Sequence, residues 1–194
     1  MKSVAALALL LAIAAPATAA QPAAPAPPDN SEMAAIFAAD QADRAPGGPG
    51  IDWAVVGPRD AARQARTRAL LDGGALRTGD DFYRAAFIFQ HGTKANDYLM
   101  AHTLAVAAAA RGHAGAAWIA AAALDRYLQK IGQPQIYGTQ YRTPDRRNTT
   151  QEPYNRTLVP DALRKALGVP TQAEQEVRRR ELEAGYRNAP RQQP

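Results

Sequence analysis

Alanine takes the place of large aliphatic residues over most of this 194-residue chain, and this constrains the fold more than any motif does. After Ala20, only 27 of the 174 residues are Ile, Leu, Val or Phe, which is few for a globular core. The net charge of +5 is too low for the composition of a disordered chain. Alanine has the highest helix propensity, and its small side chain lets helices approach closely. We therefore expect an all-α fold, a compact antiparallel helical bundle with a thin core.

Capping signatures and Gly or Pro breaks divide the chain into six to seven helices. For example, Thr78 followed by Asp81 is a capping box that predicts the start of a helix, and Gly92 predicts its end. The predicted helices cover residues 31–43, 58–71, 79–91, 97–111, 113–131, 161–167 and 171–184. Short turns join the third, fourth and fifth helices, which predicts consecutive hairpins like those of helical-repeat proteins.

Two segments lack helical periodicity. Residues 51–57 are expected to form a loop that packs Trp53. Alternating polar and apolar residues near 135–157 are compatible with a short β-hairpin.

The two ends of the chain differ from the segment between them. Residues 1–20 combine a basic start, an apolar run and small residues before Ala20, which predicts a bacterial signal peptide cleaved after Ala19 or Ala20. Residues 21–29 predict a disordered linker rich in Pro and Ala, residues 30–187 a single helical domain, and residues 188–194 a disordered tail. We expect a periplasmic or secreted protein with no membrane span after cleavage.

Composition excludes several classes of function. The chain has no cysteine, which removes disulfide scaffolds, thiol nucleophiles and cysteine-based zinc sites. Neither a phosphate-binding glycine loop nor a paired-histidine motif occurs, so we expect no cofactor and no metal. Arginine is abundant, but glutamates flank the last arginine cluster and the leader predicts export, so we do not expect nucleic acid as a partner.

The best functional signal is the placement of polar residues on apolar helix faces. On the fifth predicted helix, Asp125 shares the face of Trp118, Ala121 and Ala122, so its carboxylate is expected to point inward. Polar residues on the neighbouring helices could converge with it. These candidates are Gln90, His91, His102 and Arg126.

Several short motifs follow one another in order along the chain. They are DQADR at 40–44, QHG at 90–92, DRYL at 125–128 and YGTQ at 137–140. In this order and spacing, residues 33–169 resemble a bacterial helical family classed as a domain of unknown function. The resemblance implies a mainly helical fold and brings no activity, ligand or catalytic residue. Together with the inward-facing residues, it extends the candidate site to Asp40, Gln41, Arg44, Gln135, Tyr137, Thr139 and Gln140.

We interpret the chain as an exported module that binds a protein partner or a small ligand through a polar groove between the third to fifth helices and the YGTQ loop. One alternative is a hydrolase that uses His91 or His102 with Asp125, although no nucleophile has a flanking motif. The other is a purely structural envelope protein. In that case, Asp125 and Arg126 would anchor the loop at 133–141 on the bundle without any ligand.

Overall fold

The computed structural model describes residues 26–45, 50–145 and 147–188. The predicted signal peptide at 1–20, the first part of the predicted linker at 21–29 and the predicted tail beyond residue 188 lie outside the described residues.

The chain forms an all-α bundle, as the alanine-rich composition predicts. The described residues form seven helices, and their order along the chain is α1 Ser31–Arg44, α2 Trp53–Asp72, α3 Gly79–Gln90, α4 Ala95–Ala110, α5 Ala116–Lys130, α6 Asp161–Ala166 and α7 Gln172–Asn188. No helix of this described part is long and apolar enough to cross a membrane.

The centre of the bundle is the antiparallel pair of hairpins formed by α3, α4 and α5. Helix α4 packs against both α3 and α5, and α3 also contacts α1, α2 and α5. Ala85, Ala101, Ala105 and Ala123 are fully buried in this core. Because their side chains are so short, the helix backbones can pack closely, and few large residues are needed to fill the space between them.

The prediction of a loop at 51–57 that packs Trp53 is wrong. Helix α2 begins at Trp53, because the Asp52 side chain accepts a hydrogen bond from the Ala54 amide at 3.0 Å and caps the helix there. Trp53 remains 59% exposed. Pro58, the predicted start of this helix, lies inside it.

The segment between α5 and α6 has almost no regular structure. Two isolated bridges, a parallel one between Gln135 and Tyr154 and an antiparallel one between Arg142 and Thr150, replace the predicted β-hairpin in the described part of 135–157. Buried side chains take up many of the backbone hydrogen bonds that a hairpin would otherwise satisfy.

The capping box predicted at Thr78 is confirmed and extends beyond its own helix. The Thr78 hydroxyl accepts a hydrogen bond from the Asp81 amide at 3.0 Å, and the Asp81 carboxylate accepts one from the Thr78 amide at 3.2 Å. Asp81 is fully buried and also accepts hydrogen bonds from the amides of Arg77, at 2.9 Å, and Asn30, at 2.7 Å. Since Asn30 caps α1, one carboxylate joins the starts of α1 and α3.

Replacing Asp81 by Ala should therefore lower the free energy of unfolding by about 3 kcal/mol, because it leaves three amide donors without their acceptor. Urea denaturation measures this change. Asp80→Ala is the matched control, since Asp80 is about half exposed and forms a surface ion pair with Arg84. That control should cost less than about 1 kcal/mol. Equal losses in the two variants would contradict the role of Asp81.

Candidate functional site

Four of the predicted site residues meet at a buried carboxylate near the end of α1. Asp40 is 1% exposed. It accepts hydrogen bonds from Arg44 Nη1 at 2.7 Å, from His91 Nδ1 at 2.9 Å and from Gln41 Nε2 at 2.8 Å. We call these four residues the Asp40 cluster. Because an ionised carboxylate only accepts hydrogen bonds, the proton of this contact is on Nδ1 of His91.

The Asp40 cluster continues into a network of ion pairs with α2. Arg44 also binds Asp60 at 2.6 Å, and Asp60 in turn binds Arg63 at 3.1 Å. Arg63 also pairs with Asp43 and donates to the carbonyl of Ala39. Each guanidinium therefore has carboxylate partners, and the network holds α1, α2 and the end of α3 together.

Asp125 on α5 is buried as its helical position predicts, and its partners all belong to one loop. It is fully buried. Oδ1 accepts hydrogen bonds from the amides of Ile136 and Tyr137 at 2.8 and 3.0 Å. Oδ2 accepts from the amide and the hydroxyl of Thr139 at 2.9 and 2.8 Å. Four donors thus saturate this carboxylate, and they anchor the 133–141 segment on α5.

A second set of side chains binds the carbonyls of the same segment. Arg164 of α6 is fully buried and donates to the carbonyls of Tyr137 and of Ile136, the latter at 3.3 Å. Gln175 of α7 donates to the Tyr137 carbonyl at 2.8 Å, and Gln151 donates to the Gly138 carbonyl at 2.5 Å. None of these three residues is predicted from the sequence. Their partners are main-chain atoms distant in sequence, for which no motif exists.

Glycine is required at position 138 of the segment that these side chains hold. Gly138 has a φ of +77°, and a Cβ there would collide with the side chains of Gln175 and Tyr154. Gln135 joins the two ends of the turn at 135–140. Its buried side-chain amide donates to the Gln140 carbonyl at 3.0 Å and accepts from the Gln140 amide at 3.0 Å. The hydrogen bonds of the Gln135 side chain and of the Tyr137 main chain therefore help to hold the conformation of the 133–141 segment.

The remaining predicted residues do not join Asp125. His102 Nδ1 donates to the carbonyl of Ala120 at 2.9 Å, while His91 binds Asp40. Among the described residues, no hydrogen bond links either histidine to Asp125, which is the pairing that a hydrolase would need. Gln90 is buried, and its Oε1 has no partner among the described residues.

Arg126 lines an open cleft formed by α4, α5 and the 133–141 segment. The cleft has a volume of about 240 Å³ and is lined by Tyr98 of α4, by Arg126, Gln129 and Lys130 of α5, and by Gln140. Nε of Arg126 and Nε2 of Gln129 are buried and have no hydrogen-bond partner in the described part of the chain. Burial lowers the pKa of Arg126, and repulsion from Arg44 lowers this pKa further, while the nearby Tyr98 acts in the opposite direction.

No group of His, Asp and Glu side chains suited to a metal ion occurs within residues 26–45, 50–145 and 147–188. Comparison with protein-family models, with curated proteins and with solved structures found no match to this chain. The resemblance to a helical family of unknown function therefore stays a prediction.

The contacts of Asp125 predict a large effect of a small substitution. Asp125→Asn keeps the size of the side chain but turns one acceptor atom into a donor that faces the donors of the loop. It should lower the free energy of unfolding by about 3 kcal/mol, because buried amides lose their partner. Chemical denaturation measures this loss.

Glu181→Gln is the control for that substitution, because it makes the same carboxylate-to-amide change at an exposed ion pair with Arg178. It should change stability by less than about 1 kcal/mol. If Asp125→Asn were as mild as this control, the carboxylate would not be the anchor of the loop.

Proposed function

We propose that this chain is an exported helical module that binds a small polar ligand in the cleft formed by Tyr98, Arg126, Gln129, Lys130 and Gln140. The observation that supports it most strongly is that two residues lining this cleft, Arg126 and Gln129, each have a buried polar atom without a hydrogen-bond partner in the described part of the chain. Buried polar groups in native proteins normally have a hydrogen-bond partner, so a ligand that supplies partners would account for them.

The size of the cleft limits the ligand. A volume of about 240 Å³ is slightly below the usual range of small-molecule sites, roughly 300–1,000 Å³, and suits a monosaccharide, an amino acid or a small organic acid. The lining comes from α4, α5 and the 133–141 segment, whose main chain is held by Asp125. Both helices and a well-anchored loop therefore support the lining, which favours a preformed binding site.

Binding accounts for these side chains better than hydrolysis does. The two most buried carboxylates of the predicted site, Asp40 and Asp125, are each occupied by hydrogen bonds within the chain. In a hydrolase of that kind the histidine takes the proton and the carboxylate orients it, and no hydrogen bond among the described residues joins His91 or His102 to Asp125. The unpartnered atoms of the cleft belong instead to a guanidinium and an amide, which are groups that recognise ligands.

Export and family membership are part of the same proposal. The tripartite pattern of residues 1–20 and the absence of cysteine are compatible with a periplasmic or secreted bacterial protein whose stability comes from packing and hydrogen bonds. The motifs at 40–44, 90–92, 125–128 and 137–140 support its assignment to the helical family of unknown function that they resemble.

A thermal-shift panel of amino acids, monosaccharides and small organic acids tests ligand binding. A compound present at about 100 times its Kd should stabilise the protein by about 2.7 kcal/mol, which is about 5–10 °C in Tm for a domain of this size. Gln129→Leu should reduce that shift, because it removes the unpartnered amide of the cleft. Gln133→Leu, the same change at an exposed position outside the cleft, should retain it. If no compound gave a shift, or if both variants responded like the wild type, the proposal would be wrong.

A further inference from the structure

We infer that Arg126 is the receptor for an oxyanion group of the ligand, a carboxylate or a phosphate. This inference rests on the proposed function, because it names the chemistry that the cleft recognises. It starts from a guanidinium that is largely removed from water and whose Nε has no partner in the part of the chain that the structure describes.

The other guanidinium groups in sheltered positions are paired. Arg44, Arg63 and Arg164 each lie within 3.3 Å of a carboxylate oxygen. Arg126 has no such carboxylate among the described residues. A charge that is largely removed from water and has no counter-ion is costly, so Arg126 is the position where an external anion would replace a missing partner.

The lining of the cleft carries two cationic side chains, Arg126 and Lys130, and no carboxylate among the described residues. Lys130 lies one turn further along α5 and lines the same cleft. Arg44 is near enough to repel Arg126. Both carboxylate oxygens of the adjacent Asp125 accept hydrogen bonds from the 133–141 segment, and Asp40 is paired with Arg44. The charge of the lining therefore favours an anion over a cation in the cleft.

The donors around Arg126 suit a planar or tetrahedral oxyanion. Arg126, Gln129 and Lys130 stand at positions i, i+3 and i+4 of α5, so they share one helix face. A guanidinium binds two oxygens of a carboxylate or phosphate with parallel hydrogen bonds, which a lysine cannot reproduce. The Tyr98 hydroxyl and the unpartnered Gln129 amide can add further donors.

Arginine side-chain NMR tests this inference on the full mature chain. The ¹⁵N-labelled protein is titrated with sodium acetate and, separately, with sodium phosphate, and sodium chloride holds the ionic strength constant. The Nε–Hε resonance of Arg126 is assigned by its loss in Arg126→Gln. We expect that resonance to shift with saturation in at least one titration, and the anion that causes the shift identifies the class of oxyanion.

Two variants separate specific recognition from general attraction. Arg126→Lys keeps the charge but loses the paired donors, so it should weaken anion binding about tenfold, followed by resonances of residues lining the cleft. Arg178→Gln removes an exposed charge on α7 and should leave the affinity unchanged. Arg126→Gln should not destabilise the fold, since it removes an unpaired buried charge.

A linear, unsaturated drift shared by all arginine resonances would overturn the inference, as would equal binding by wild type and Arg126→Lys. These results leave the proposed function standing if neutral compounds still give a stabilisation that depends on Gln129. Absence of any shift in both the compound panel and the anion titrations would overturn both proposals.

Discussion

The hydrogen bonds of the Asp125 carboxylate are the constraint on which the rest of this structure depends. The bundle of α3, α4 and α5 is held by a core of alanines with a few large residues such as Phe89, Leu104 and Ile119, but the 133–141 segment has no regular structure of its own. By accepting four hydrogen bonds from the segment, Asp125 fixes one wall of the cleft against the next residue of α5, Arg126. The two neighbouring residues thus differ in their contacts. The Asp125 carboxylate is fully hydrogen-bonded, whereas the Arg126 guanidinium has no carboxylate partner among the described residues.

The side chains that hold the 133–141 segment are of complementary hydrogen-bonding character. Asp125 binds its amide groups, whereas Arg164 and Gln175 bind its carbonyls from α6 and α7. Backbone groups that are buried outside helices and strands must find such partners, because their desolvation is otherwise not compensated. This explains why Asp125, Gln135 and Arg164 are fully buried where the helical bundle meets the irregular segment.

The sequence predicts the parts of this account that depend on local rules. Alanine content and caps such as Thr78 with Asp81 led to the all-α fold, and helical periodicity led to the burial of Asp125. Rules of this kind fail where tertiary contacts decide. Trp53 begins a helix because Asp52 caps it, and Arg164 meets carbonyls more than 25 residues away in sequence. The sequence also does not show that the Asp40 cluster and Asp125 have separate hydrogen-bond partners, because an inward-facing position does not reveal which side chains it contacts.

Amide hydrogen exchange at Ile136, Tyr137 and Thr139 is the most direct test of the anchored segment. These amides lie outside helices and strands, so only their hydrogen bonds to Asp125 can slow their exchange strongly. Our account predicts protection close to that of the core amides of α5, with opening only in global unfolding. Rapid exchange, like that of an exposed loop, would contradict it and remove the wall on which the cleft depends.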